Sequence, residues 1–388
     1  MLIRRYRSPR ADRPARALQK HDGAARVFRT ALLVVALLLA VPPADPSTAA
    51  ELSSERAEAI ANKVNEFMAA RRVPGLSLAV VVDGQLVHER GFGLADVENQ
   101  VPATADTVYR LASISKMLTA VAAMQLVEQK KLDLDAPIQK YVPSFPEKQA
   151  PITAALLLKH QSGIRHYQGE EVRSIVFYSR VGDALKIFQD DPLLFAPGEK
   201  FSYTTYGFNL LGTAIEGASG TDYVSYVQEH VCRPAGMRSI QPDNPFKIIP
   251  HRAAGYRMKT PAKDAELLND FAVDVTNKIP GGGWCSTPGD LARFAIALMD
   301  AKLVTRETLE KMWTVQKTTD GKNTPCGLGC FLAKMDGEQL VSHSGGQPKV
   351  STFLLLMPDK RQAIAVMCNL RETPLDSLAR DLVKAIRG

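Results

Sequence analysis

Ser113 and Lys116 stand three residues apart in the run Ser113-Ile114-Ser115-Lys116. On a helix that spacing puts both side chains on one face, about one turn apart. A serine hydroxyl is a poor nucleophile until a base takes its proton. A lysine can take it once burial or a neighbouring charge lowers the amine's pKa. If the run opens a helix, the N-terminal N–H groups also favour negative charge developing there. The pattern S-x-x-K is common by chance, however, and alone it describes a solvated Ser/Lys face better than a site.

Such a pair needs elements to hold it. From about Ser113 to Lys130 the pattern is helical, with Met117, Val121 and Met124 near one face. Upstream, Ser53 or Ser54 caps a helix whose Ile60, Val64, Phe67 and Met68 fall together, and Pro74-Gly75 stops it. Leu76–Val82 and Gln85–Gly91 read as a hairpin about Asp83-Gly84, a type I′ turn pair. Residues 150–275 read as helical and loop segments, punctuated by Ser162-Gly163, Pro197-Gly198 and Ser219-Gly220. Ser286 and Thr287 suit the start of a helix after Pro288. Gln339–Ser344, Val350–Met357 and Gln362–Asn369 read as three adjacent strands, and Leu375–Ile386 as a closing helix. The expected fold class is α/β (α+β). One antiparallel sheet is built from N- and C-terminal segments and flanked by helices, with an inserted all-helical lobe over roughly residues 115–275. A cleft should lie where the two lobes meet.

Further segments give the Ser113 run its context. Tyr109-Arg110-Leu111-Ala112 leads into it, and Leu157-Leu158-Lys159-His160-Gln161-Ser162-Gly163-Ile164 follows. Then come Phe195-Ala196-Pro197-Gly198-Glu199-Lys200-Phe201-Ser202-Tyr203 and Gly281-Gly282-Gly283-Trp284-Cys285-Ser286-Thr287-Pro288-Gly289-Asp290-Leu291. His343-Ser344-Gly345-Gly346 closes the series. In this order the segments resemble those of the serine β-lactamase and penicillin-binding-protein superfamily, whose signatures include S-x-x-K and K-T-G. The wording is most similar to the branch containing the mitochondrial serine β-lactamase-like peptidase, and Ala95–Pro102 and Lys131–Asp135 share that likeness.

The resemblance implies roles. Ser113 forms an acyl-enzyme and Lys116 takes its proton. Tyr203 protonates the leaving group and then activates water. Backbone N–H groups of Ser113 and Gly346 form the oxyanion hole. Thr205, His343, Ser344 and Gly345 bind substrate, His343 orienting a carboxylate. Neither metal nor cofactor is implied. Two departures stand out: Tyr203-Thr204-Thr205 replaces the usual Y-x-N, and His343 stands where the family often has lysine. A histidine near its ordinary pKa is mostly neutral at pH 7 and grips a carboxylate weakly. Both argue for a peptidase, carboxypeptidase or esterase with poor β-lactam turnover. A non-catalytic protein that binds penicillin or peptidoglycan peptides is the alternative, although such a binder has no need of all three catalytic residues.

Composition limits the partners. The net charge is +7, but of the 48 Lys/Arg and 41 Asp/Glu, nine and three fall in residues 1–50. The remainder holds 39 basic against 38 acidic residues, so no basic body invites nucleic acid. The expected partner is a small-molecule or peptide substrate. Residues 1–50 read as an export leader, with the apolar run Ala31–Val41 before Pro42-Pro43 and small residues at Ser47–Ala50. A retained anchor is the rival reading, and membrane contact would come only through this leader. The implied location is periplasmic or secreted, with residues 51–388 as one hydrolase domain. The five cysteines are an odd number. Buried free thiols, a Cys326–Cys330 bridge and a Cys330–Cys368 bridge all fit. Cys326 and Cys330 lack a second pair at zinc spacing, and no G-x-S-x-G surrounds any serine. His160 suits a helix-terminal cap better than a triad. Ser115 suits packing better than a second nucleophile. The other histidines (His88, His166, His230, His251) suggest no ligand set.

Overall fold

The computed structural model describes residues 52–260, 262 and 265–387, so the leader read at 1–50 lies outside the described residues. Helix α1 (Ser54–Arg71) starts where the Ser53 side chain accepts the Arg56 N–H. Strands β1 (Gly75–Val82) and β2 (Gln85–Asp96) follow. Asp83 and Gly84 between them have φ of 51° and 76°, both positive as a type I′ turn requires. Next come β3 (Val101–Pro102), β4 (Tyr109–Arg110), a 3-10 turn Ala112–Ile114 and α2 (Ser115–Glu128). The middle of the chain carries α3 (Ala154–Leu158), α4 (Thr205–Ser219), α5 (Tyr223–Val227), β5 (Gln241–Pro242), β6 (Tyr256–Met258) and β7 (Leu267–Asn269). Then follow α6 (Ile279–Gly282), β8 (Trp284–Ser286), α7 (Pro288–Met299) and α8 (Arg306–Met312). The chain closes with β9 (Phe331–Met335), β10 (Glu338–Gln347), β11 (Val350–Met357), β12 (Gln362–Cys368) and α9 (Leu375–Arg387).

The main sheet has seven strands in the order β3-β2-β1-β12-β11-β10-β9, every pairing antiparallel. The N-terminal hairpin joins the C-terminal strands through β1 and β12, with Leu76 opposite Cys368 and Val81 opposite Ala363. The sheet is therefore assembled from both ends of the chain. Strand β1 is buried on both faces, which explains its unbroken apolar sequence. Leu76, Leu78 and Val80 join the core that includes Ile60, Val64, Leu378 and Leu382, so they face α1 and α9. Ala79 and Val81 join the core that includes α2, α4 and α7. Helix α2 is apolar nearly all round and buried nearly all round, as an interior helix must be.

Two features differ from the sequence-based expectation. Strand β9 is an edge strand whose half-exposed residues show no clean alternation. The helical middle also contains β5, β6, β7 and the adjoining β8, each of two or three residues and too short to show a period. The five cysteines are all free and buried, the first of the three arrangements the sequence allows, and neither bridge forms.

The sheet positions the 3-10 turn directly. Leu111 N–H donates to Trp284 O at 2.7 Å, and Thr352 Oγ1 on β11 donates to Leu111 O at 3.0 Å. Gly345 on β10 lies so close that a Cβ there would sit 2.0 Å from Thr352 Oγ1 and 2.5 Å from Leu111 O. We expect Gly345→Ala to force β10 off the turn, at about 1–3 kcal/mol of stability by overpacking. Its urea midpoint should fall, and Ser113 phosphonylation should slow more than that loss of folded protein explains. Wild-type rates in folded Gly345→Ala would contradict this account of the contact.

Candidate active site

Ser113 lies inside the 3-10 turn, and the α-helix proper begins only at Ser115. The preceding Ala112 has φ 47°, a left-handed conformation that a residue with a Cβ adopts rarely. Lys116, in the first turn of α2, is wholly buried. Its Nζ is 3.1 Å from Ser113 Oγ, 3.0 Å from Thr205 Oγ1 and 2.5 Å from Gly281 O. Burial above all, and then the charge of Lys278, hold its pKa well below the ordinary lysine value. A neutral amine has two N–H groups and one lone pair. Gly281 O can only accept, so it takes one N–H. With the amine uncharged, Thr205 Oγ1 can take the second, which leaves the lone pair for the Ser113 hydroxyl. Close approach of Gly281 is needed for this arrangement, since a Cβ there would sit 2.4 Å from Thr205 Cγ2.

Tyr203 precedes Thr204, whose side chain caps α4 by accepting the Gly207 N–H. Lys116 Nζ lies 4.9 Å from the centre of the Tyr203 ring. Burial raises the phenol's pKa, opposed chiefly by a hydrogen bond with the Ser113 side chain, so the phenol keeps its proton at neutral pH. His160 stacks on Tyr203 with ring centres 4.4 Å apart. It follows α3 with φ 55°, its N–H donates to Leu157 O, and its Nδ1 accepts from Thr204 N–H at 3.2 Å. It therefore ends a helix and props the tyrosine, and it joins no Ser–His–Asp triad.

The structure thus brings Ser113, Lys116 and Tyr203 together. It places three of the residues expected on the substrate side differently. Thr205 is almost fully buried and its hydroxyl holds Lys116. His343 is also buried, with Nδ1 2.7 Å from Ser344 O and its ring 5.2 Å from that of Phe331. Burial, and then the charge of Lys116, push its pKa down to about 3. It is neutral and offers a carboxylate no charge. Strand alternation accounts for the rest: Val341, His343 and Gly345 turn inward, while Ser344 and Gly346 are exposed. Gly345 is consequently a packing residue. Gly346 is open, with nothing within 4 Å of where its Cβ would be, and lines a groove of about 360 Å³. Ser115 is fully buried. Thr287 caps α7 by accepting the Asp290 N–H, and Ser286 donates to Asp290 at 2.7 Å.

Three residues of the site escaped the sequence reading. His166 Nδ1 accepts from Thr205 N–H at 3.2 Å, and its ring meets Tyr203 edge-on at 5.6 Å. Tyr167 stacks beside it at 4.2 Å. Lys278 is almost fully buried, with Nζ 4.7 Å from the Tyr167 ring centre. Burial, then the charge of Arg110, push its pKa down to about 7, with Asp274 pulling the other way. Burial, then Lys116 and Lys278, push His166 down to about 4.

Comparison with known proteins identifies the family and the fold. Residues 60–387 match the family model described as Beta-lactamase. The human serine beta-lactamase-like protein LACTB, mitochondrial, is 30% identical over an alignment covering 79% of this chain and 75% of that one. The octameric penicillin-binding protein homologue from Pyrococcus abyssi superposes with a TM-score of 0.72 at 28% identity, covering 85% of this chain and 77% of that one. The D-amino acid amidase from Ochrobactrum anthropi SV3 shares the fold, with a TM-score of 0.74 at 23% identity, covering 86% of this chain and 99% of that one.

The Lys278 amine makes a signed prediction. Its folded pKa, about 7, lies below the ordinary 10.5, so the penalty for charging it applies in full below pH 7 and fades as pH rises toward 10.5. Lys278→Met should stabilise the protein by a few kcal/mol at pH 6 in urea unfolding, with the gain vanishing near pH 10.5. A gain independent of pH would contradict the assignment.

Proposed function

The chain belongs to the beta-lactamase family, and from the contacts around Ser113 we propose that it is a serine hydrolase cleaving amide or ester bonds through an acyl-enzyme. The observation that carries the reading is the 3.1 Å contact between Ser113 Oγ and the buried Lys116 amine, whose pKa burial holds well below the ordinary lysine value. In the proposed cycle Ser113 Oγ attacks the substrate carbonyl carbon as its proton passes to Lys116 Nζ. The N–H groups of Ser113 and Gly346 receive the oxyanion. Tyr203 gives its phenolic proton to the leaving nitrogen or oxygen as the carbonyl bond to it breaks. That step leaves a phenolate beside the new Lys116 ammonium, and the nearby cation offsets the cost of a buried anion. The phenolate then takes a proton from water, whose oxygen attacks the ester carbonyl. Lys116 returns its proton to Ser113 Oγ as the acyl group leaves, and the cycle closes.

The finer specificity belongs to the same proposal. With His343 neutral and Thr205 committed to Lys116, the site has neither group that would favour an efficient lactamase, which supports a peptidase or esterase. Export through the 1–50 leader would set it to work on extracytoplasmic peptides or esters.

A fluorophosphonate probe should label Ser113 in residues 51–388, seen by mass spectrometry, and Ser113→Ala should abolish the label. Lys116→Met and Tyr203→Phe should each reduce ester turnover by about 10²–10⁴, the range for a proton-transfer group. Folded wild type that resists the probe would favour the non-catalytic binding protein.

A further inference from the structure

Three guanidinium groups surround one half-buried aromatic ring, that of Phe271. Arg173, Arg257 and Arg371 lie 4.5, 4.7 and 5.7 Å from the centre of Phe271. With Arg71 and Lys259 they line a cavity of about 590 Å³ in which Glu372 is the one acidic lining residue among the described residues. Most of these cations have partners: Arg173 reaches Glu170 at 3.3 Å, Lys259 reaches Glu266 at 3.1 Å, and Arg371 reaches Asp270 at 3.5 Å and Glu372 at 3.1 Å. Arg257 has no ion pair among the described residues, and its Nε is buried without a hydrogen-bond partner. A buried donor with no acceptor is costly and uncommon. The rest of the folded body is close to neutral, so this concentration of positive charge is local.

The cavity adjoins the cleft. Arg173, Arg371 and Glu372 also line the groove that contains Gly346, Gln347 and Pro348. Direction along β10 tells which part of a substrate would enter it. Tyr203, the leaving-group acid, lies at the His343 end of the strand, the two rings 6.2 Å apart. The acyl portion is then directed the other way, past Gly346 toward Pro348. Two residues of strand span about 7 Å, the reach of an acyl chain of about six carbons.

We propose that this arginine pocket is an anion subsite of the cleft, selecting substrates whose acyl portion carries a carboxylate or phosphate remote from the reacting carbonyl. Arg257, without an ion pair among the described residues, supplies the uncommitted guanidinium, and Phe271 holds the guanidinium groups in place by cation–π contact. This selectivity rests on the hydrolase reading above, whereas anion binding by the pocket does not.

The test therefore has two arms. Calorimetry on Ser113→Ala, which cannot turn over, titrates adipate and inorganic phosphate into the protein with and without Arg257→Met. Binding of either anion that falls at least tenfold with Arg257→Met supports the pocket, and the better ligand identifies the anionic group. No binding of either, or binding indifferent to Arg257, overturns it. Kinetics then compare mono-4-nitrophenyl adipate with 4-nitrophenyl hexanoate, and an ω-phosphate ester with the same hexanoate. The ratio of kcat/KM for the better anionic ester over the neutral one should exceed ten in wild type, shrink as salt rises, and fall at least tenfold in Arg257→Met. Should Arg257→Met fail to fold, salt-sensitive selectivity in wild type still decides, since a ratio near one overturns the proposal. If no ester is hydrolysed, the hydrolase reading fails alone, and calorimetry still judges the pocket.

Discussion

A lysine amine sealed from solvent cannot afford its charge, and the site depends on that constraint. Charging a fully desolvated ammonium without a carboxylate costs several kcal/mol. Among the described residues Lys116 has no carboxylate hydrogen-bonded to it: its three partners are two hydroxyls and a backbone carbonyl. The amine therefore rests neutral, its lone pair turned to Ser113. The same burial that makes it a base keeps Tyr203 protonated, and therefore an acid. Two groups with opposite resting roles come from one dry environment.

Each piece of the fold maintains that environment. Helix α2 presents Lys116, and α4 begins where Thr205 can reach it. Gly281 of α6 brings a carbonyl close enough to orient the amine. His160, held by Thr204 N–H, backs Tyr203 from behind. The sheet closes the remaining side, with Gly345 packed on the nucleophile's turn and Gly346 left open to substrate. The N- and C-terminal strands must pair through β1 and β12 before this geometry exists.

Much of the fold was legible because its signals are local. Asp83-Gly84 specifies its turn by left-handed backbone alone, and β10, β11 and β12 are long enough to show their apolar pattern. Strand β9 and the two- or three-residue strands of the middle carry no such pattern, because their pairing is decided by distant partners. The site divides the same way. Ser113 and Lys116 are linked by helical spacing. The inward turn of His343 and Gly345 was available from strand alternation, given the exposed Ser344 and Gly346 between and after them. Thr205 on Lys116, and Lys278 over Tyr167, join residues 89 and 111 positions apart, and no local pattern announces them.

The central claim is that Lys116 rests uncharged, and the pH dependence of Ser113 phosphonylation tests it most directly. The second-order rate for a fluorophosphonate should rise along an acid limb set by a pKa well below the ordinary 10.5 and level off well before pH 10. A rate that keeps climbing through pH 10 would show an ordinary charged lysine, and the account of the site would be wrong.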